Sequence, residues 1–235
     1  HRLMMKFKKI MIIGGTGALG KTLIERYYKD NDIIVFSRDE HKQHDLKNKY
    51  KKKLNTLIHE PAGASKTNIK FCIGDIKDKT SISQALTEYK PDIVINTAAL
   101  KHVPVCEENP YESVKTNIIG HQNLIQCISS NIHKIETLMF ISTDKACKPI
   151  NVYGMSKAIS ERLYVDYSEK QDEIKVVLCR YGNVLESTGS VVPFFKKLLN
   201  DNSNYLPITH KGMTRFLLTL NDAVNLIDWA YECKD

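Results

Sequence analysis

The sequence predicts an α/β protein built on a doubly wound parallel sheet, and three observations carry that reading. Short apolar runs with β character alternate with helix-like segments from Lys9 to Arg180, the rhythm of strands joined by crossover helices. The first run, Lys9–Ile13, passes straight into a turn with glycines at 14, 17 and 20 and then into an amphipathic segment. Near Leu185 the rhythm stops, and short apolar clusters follow, broken by Gly189, Pro193, Pro207 and Gly212. We therefore expect a first domain over residues 1–184 and a small, partial C-terminal substrate-binding region over 185–235.

Composition bounds the rest. A chain of 235 residues, 42% apolar and 26% charged, is an ordinary globular protein able to bury a substantial core. No apolar run approaches the roughly 18 residues of a membrane span, and the opening His1-Arg2-Leu3-Met4-Met5 is too short and polar for a signal peptide. This implies a soluble, cytoplasmic protein with no membrane partner. The net charge of +7 owes much to the lysines between Lys42 and Lys53 and forms no distributed stripe. That argues against nucleic acid and suits phosphorylated ligands. The six cysteines lie at irregular, wide spacings with no CxxC pair and no histidine at metal-ligand distance. They read as small buried hydrophobes in a reducing compartment, with no metal site.

Taken in order, the glycine turn comes first. Strand, glycine turn and helix are the context of a dinucleotide fingerprint, here spaced GxxGxxG. Gly14, Gly17 and Gly20 allow a tight turn, close approach of backbone to pyrophosphate and close helix packing. Thr16, Ala18 and Leu19 fall in the same turn, and the helix N-terminus offers N–H groups to phosphate. The fold expected is thus Rossmann-like. The second strand, Ile33–Phe36, ends in Ser37 and Arg38, with Lys42 soon after. Hydroxyl and cations there suit a 2′-phosphate, and so NADP rather than NAD. Asp39, about twenty residues past the glycines, is the residue that would speak for NAD. Lys42 to Lys66 reads as a helix followed by a surface loop without chemistry.

Ile69–Ile73 is the third strand, and Asp75 and Ile76 follow at its end, where an adenine would lie. Ser81–Tyr89 reads as a helix and Asp92–Asn96 as the fourth strand, which runs into Thr97-Ala98-Ala99, small enough for a ligand to approach the backbone. Leu100-Lys101-His102-Val103-Pro104 reads as a loop, in which His102 is a structural histidine. A long helical segment covers 110–130 and contains Asn117. The fifth strand, Leu138–Ile141, delivers the chemistry: Ser142-Thr143-Asp144-Lys145 and then Tyr153-Gly154-Met155-Ser156-Lys157 at the start of a helix over 153–167. Tyr153 and Lys157 are four apart and share a helix face. Such a pair lets a phenol act as a base, because the ammonium and an oxidised nicotinamide stabilise the phenolate. Thr143 would hold the substrate hydroxyl. A sixth strand, Lys175–Arg180, exits into Tyr181-Gly182-Asn183-Val184.

The Gly-Gly-Thr-Gly turn, Tyr153-Gly154-Met155-Ser156-Lys157 and Arg180-Tyr181-Gly182-Asn183-Val184 resemble the extended short-chain dehydrogenase/reductase superfamily of nucleotide-sugar enzymes. Within it, Ser37-Arg38-Asp39-Glu40, Ala98-Ala99-Leu100-Lys101-His102-Val103-Pro104, Ser142-Thr143-Asp144-Lys145 and Met213-Thr214-Arg215-Phe216 resemble the inverting UDP-N-acetylglucosamine 4,6-dehydratases. The resemblance implies a tightly held NADP contacted by Gly14 to Gly20, Ser37, Arg38, Lys42, Asp75, Ile76, Ala98, Ala99, Lys101, Tyr153 and Lys157. It also implies a UDP-HexNAc substrate, UDP-GlcNAc, contacted by Lys101, Asn183 and Arg215, and assembly as a homo-oligomer. By the same analogy Asp144 protonates the departing 6-hydroxyl and Lys145 removes the carbon 5 proton, which requires a neutral, desolvated amine. Retaining dehydratases carry Glu at the Lys145 position, so the lysine points to inversion. Relatives usually continue past the last residue here, so the resemblance further implies that the C-terminal part of the substrate region is missing. A UDP-sugar 4-epimerase, which needs no Asp144–Lys145 pair, and a catalytically silent NADP-binding partner protein are the alternatives.

Overall fold

Every central strand is apolar because both of its faces are covered. The computed structural model describes residues 5–57, 68–185, 191–201, 203, 205–208 and 210–233. Six strands form one parallel sheet: β1 (Lys9–Ile13), β2 (Asp32–Ser37), β3 (Ile69–Ile73), β4 (Ile93–Asn96), β5 (Thr137–Thr143) and β6 (Lys175–Tyr181). Their order across the sheet is β3-β2-β1-β4-β5-β6. In β1, Ile10 pairs with Ile33 on one side and Ile93 on the other. The chain winds outward from β1 to β3, then returns to start again at β4. The crevice between the ends of β1 and β4 is therefore the topological switch point, where such sheets bind ligands.

Side chains alternate between the two faces. Ile10, Ile12, Ile33, Val35 and Ile95 pack with α1 (Ala18–Tyr27), α2 (Glu40–Leu57) and α9 (Leu220–Glu232). Met11, Ile13, Ile34, Phe36 and Val94 pack with α3 (Lys79–Tyr89), α6 (Gly120–Ser130) and α7 (Val152–Glu169). The doubly wound sheet expected from the strand–helix rhythm is the observed fold.

Three details depart from the sequence reading. The loop after β4 closes into a short helix, α4 (Val103–Glu108), with Pro104 in its first turn. The long helical segment is broken into α5 (Pro110–Val114), a π turn (Lys115–Ile119) and α6. The π turn carries Asn117, whose amide accepts from the Leu100 N–H at 2.8 Å and donates to the Leu100 carbonyl at 2.9 Å. Beyond the sixth strand, the sequence reading placed no helices. Yet α8 (Val191–Asn200) and α9 form, with a small ribbon of β7 (Asn183–Val184) and β8 (Leu217–Leu218). The signal for α9 was local: Thr219 and Asp222 form a capping box, and Ala223, Val224 and Ile227 recur at helical spacing. The helix that opens the lysine-rich segment is α2; the loop expected after it lies outside the described residues.

Although α9 lies beyond residue 184, it shares one hydrophobic core with β1, β2 and α1. Asp228 fastens it there: its carboxylate accepts from Tyr27 at 2.6 Å and from Arg26 at 2.9 Å. Removing one partner of a mostly buried pair strands the others. Asp228→Ala should therefore cost about 3 kcal/mol in urea unfolding; a change below about 0.5 kcal/mol would show that α9 docks by apolar contact alone.

Candidate active site

The glycine turn at the end of β1 leaves no room for side chains. Gly14 adopts φ +77°, and a Cβ there would lie 2.7 Å from Thr97 Oγ1 and 3.0 Å from the Ala98 nitrogen. A Cβ on Gly20 would come within 2.5 Å of the Gly15 Cα, which is why α1 can press against the turn. Gly17 caps α1 without a side-chain hydrogen bond, and the first turn of α1 holds no acidic residue. The N–H groups of Ala18 and Leu19 and the positive end of the helix dipole are thus left to a phosphate, with Thr16 beside them. A dinucleotide pyrophosphate fits this cradle.

At the end of β2, Ser37 is buried and its hydroxyl accepts from the Gln43 amide at 2.9 Å. Gln43 also donates to the Cys72 carbonyl at 2.8 Å, so it ties β2 to β3. Arg38 is exposed and lies 3.9 Å from Asp75, while Lys42 pairs with Asp39 at 3.3 Å. Both cations stay close to the strand end and open to solvent. The Ile76 side chain sits in the core beneath Gly120 rather than in the crevice; only its backbone can face an adenine.

The candidate catalytic stretch is assembled by β5 and α7. β5 is buried along its length and ends at Thr143. Asp144–Ala146 form a single 3₁₀ turn, with the Thr143 hydroxyl accepting from the Lys145 N–H at 3.3 Å. α7 starts at Val152 and is capped by Asn151, which accepts from the Gly154 N–H at 2.7 Å. A Cβ on Gly154 would lie 2.2 Å from the Lys145 carbonyl. Glycine at this position is what allows the Asp144–Lys145 turn to rest against the helix bearing Tyr153.

Around that contact the side chains converge. The Thr143 hydroxyl donates to Asp144 Oδ1 at 3.1 Å and lies close enough to the Tyr153 phenol to lower its pKa. Lys145 Nζ donates to Asp144 Oδ1 at 3.2 Å and to Asn183 Oδ1 at 2.6 Å. Asp144, Lys145 and Arg215 line one cavity of about 410 Å³ together with Cys147 and Phe216. Arg215 reaches it because Gly182 is bare: a Cβ there would meet the Phe216 carbonyl at 2.3 Å. Lys101 stands exposed on the loop after β4, and crowding by protein lowers its pKa.

A family profile described as "Polysaccharide biosynthesis protein" matches residues 10–235. The chain belongs to that family. It is similar to the inverting UDP-N-acetylglucosamine 4,6-dehydratase of Campylobacter jejuni, with 43% identity over 233 residues, 95% of this chain and 63% of that protein. It is also 40% identical over 234 residues to the UDP-glucose 4-epimerase of Rickettsia bellii, covering 96% of this chain and 63% of that one. Among solved structures, Pen from Bacillus thuringiensis superposes with a TM-score of 0.84 at 33% identity, over 99% of this chain and 70% of that one. The chain thus spans about 63% of the length of the curated relatives it matches. Among the described residues of this family member, no three His, Cys, Asp or Glu side chains group as metal ligands, and no helix is long and apolar enough to cross a membrane.

Lys157 is the most unusual group of the site. It is 2% exposed; its ammonium donates to the Ile141 carbonyl at 2.7 Å and lies 4.3 Å from the centroid of the Phe140 ring. Burial pulls its pKa down to about 7, with Glu161 pulling the other way. Burial likewise pushes Tyr153 up to about 12, opposed by its hydrogen bond to Thr143. The Tyr-Lys spacing predicts an acidified phenol; burial, the largest influence on the phenol here, pushes it the other way. Glu161, four residues past Lys157, takes bonds from Ser142 at 2.5 Å and Arg180 at 2.8 Å, which outweigh burial and hold its carboxyl below the usual range. One more helical turn along the Tyr153–Lys157 face would have found Glu161 in the sequence. The contact of Asn183 with Lys145 had no local signal, since it depends on β6 lying beside β5.

The free amine of Lys157 titrates near 7 in the fold and at 10.5 ordinarily. Its cost to stability is therefore full below pH 7 and fades as pH rises towards 10.5. Lys157→Met should raise Tm of the ligand-free protein by about 3 °C or more near pH 6, with the gain shrinking towards pH 10. A lower Tm for the variant across that range would mean that the buried ammonium stabilises the fold.

Proposed function

We propose that this family member dehydrates UDP-N-acetylglucosamine to a UDP-2-acetamido-2,6-dideoxy-4-hexulose with inversion at carbon 5, for surface glycan synthesis. The observation that carries this reading is the Asp144–Lys145 ion pair in the cavity beside Thr143. An oxidation and reduction at one carbon needs only the hydroxyl–phenol–amine set. Loss of water across carbons 5 and 6 also needs an acid and a base, and this pair supplies both.

NADP would lie along the switch point, with its pyrophosphate on Gly14 to Gly20, its 2′-phosphate near Ser37, Arg38 and Lys42, and its nicotinamide end near Ala98, Ala99, Tyr153 and Lys157. When bound, it supplies the hydride acceptor for carbon 4 and returns the hydride at carbon 6. Tyr153, which desolvation holds near 12, would be acidified by a positive ring beside it. Tyr153 takes the proton of the 4-hydroxyl, which Thr143 orients. In the elimination step Lys145 would serve as the free amine and Asp144 as the protonated acid of the 3.2 Å pair. Lys145 then removes the carbon 5 proton, made acidic by the 4-ketone. Asp144 protonates the 6-hydroxyl as the carbon–oxygen bond breaks, and water leaves. A solvent proton that reaches carbon 5 from the face opposite Lys145 gives the inverted product, and Tyr153 releases its proton to solvent. Asn183 holds Lys145, and Lys101 and Arg215 would meet the UDP phosphates. Exposed Tyr111, Ile119, Met155 and Ile159 support assembly as a homo-oligomer.

The second reading, a UDP-sugar 4-epimerase, is favoured by the 40% identity to a protein of that name. Lys145→Met separates the two in the full-length protein given UDP-N-acetylglucosamine. A dehydratase should lose the 4-keto-6-deoxy product by about a hundredfold or more while still binding NADP. Unchanged formation of that product would remove Lys145 as the base. Formation of UDP-N-acetylgalactosamine by the wild type would favour the epimerase, and no turnover would favour a silent NADP-binding partner.

A further inference from the structure

Asn96, His121 and Tyr164 form a buried polar network that the proposed reaction does not use. All three side chains are fully buried, against a core cluster that is otherwise apolar. Asn96 is the last residue of β4, His121 stands on α6 and Tyr164 on α7. Asn96 Nδ2 donates to the Tyr164 hydroxyl at 2.9 Å and reaches His121 Nδ1 at 3.2 Å; the Tyr164 hydroxyl is 3.1 Å from the same Nδ1. His121 Nε2 lies 3.2 Å from the Ala98 carbonyl. A carbonyl only accepts, so Nε2 carries the hydrogen and Nδ1 is the acceptor of the other two contacts. Asn96 Oδ1 accepts from the Ala98 N–H at 3.1 Å. Every polar atom of the three side chains is thereby satisfied, and the network ends on both flanks of one residue.

Ala98 lies at the switch point, directly against Gly14. We infer that His121 is a positioning residue, which with Asn96 and Tyr164 clamps the Ala98 backbone as the floor of the nicotinamide end of the cofactor site. This rests on the cofactor reading above. Three polar side chains buried to serve one backbone position are costly unless that position matters, since apolar residues of similar shape would stabilise the core as well. The same network reaches the catalytic lysine. Tyr164 stacks on Phe140 at 4.4 Å, His121 meets that ring edge-on at 4.9 Å, and Lys157 lies over it. Burial and the nearby Lys157 ammonium keep His121 neutral, so the donor to Ala98 and the acceptor for Tyr164 are both fixed.

The test compares wild type with His121→Leu, His121→Gln and Tyr164→Phe in the full chain, measuring Kd for NADP and for ADP, which ends short of the nicotinamide ribose. His121→Leu should weaken NADP about tenfold, leave ADP within about twofold, and lower kcat more than it changes substrate KM. His121→Gln, which can still donate to the Ala98 carbonyl, should recover most of the loss. Equal weakening of both ligands, or of neither, would overturn the inference. If the leucine variant does not fold, Tyr164→Phe, which leaves Nδ1 to Asn96 alone, carries the same comparison with a loss of about threefold. Amide exchange of Ala98 in the ligand-free protein is the independent arm. It should quicken in the variants while β5 amides hold, and unchanged exchange would overturn the clamp. A wild type that binds ADP and not NADP would remove the cofactor reading instead, with the exchange arm still deciding the clamp.

Discussion

A buried ammonium sets the terms for this molecule. Lys157 reaches from α7 under the end of β5, with its charge on one carbonyl and one aromatic ring. Burying a charge is expensive unless partners surround it, and the neighbourhood is arranged to answer that cost. Ile141 turns its carbonyl to the amine; Phe140 lends its face; Glu161, one turn on, adds a negative charge that Arg180 and Ser142 hold in place. These residues sit where they do because β5 lies between β4 and β6. The sheet order is thus a precondition for the lysine, which stands one helical turn past Tyr153 on α7.

Two layers of chemistry share this ground. Thr143, Tyr153 and Lys157 belong to the hydroxyl oxidation proposed here, and they are drawn together by the strand–helix junction itself. Asp144 and Lys145 are added on the 3₁₀ turn between them, and their position depends on bare backbone. Gly154 admits the turn to the helix, and Gly182 admits Phe216 and Arg215 to the cavity. An extra methyl at either glycine would push apart the acid–base pair and the groups proposed to hold the substrate.

The alternation of strands and helices and the glycine turn were readable from the sequence, because both are local patterns with fixed periods. The central stretch was readable too, since its reactive groups fall within sixteen positions of one another in the sequence. What was hidden depends on distant partners. Asn183 meets Lys145 across 38 positions and Asn96 meets Tyr164 across 68, and no spacing rule links them. The π turn at Lys115–Ile119 was hidden because no sequence period marks it, and Leu100, which Asn117 grips, lies in another element. Tyr153 is the instructive case. Its four-residue spacing from Lys157 put both on α7, but spacing says nothing of desolvation, and burial is the largest of the causes that drive the phenol up to about 12.

The central claim is that Lys145 and Asp144 convert an oxidation into an elimination. The most direct measurement is the fate of carbon 5 when the full-length protein turns over UDP-N-acetylglucosamine in heavy water. The account predicts a 4-keto-6-deoxy product with solvent deuterium at carbon 5 and the inverted configuration there. A product that retains the original hydrogen at carbon 5 would contradict it.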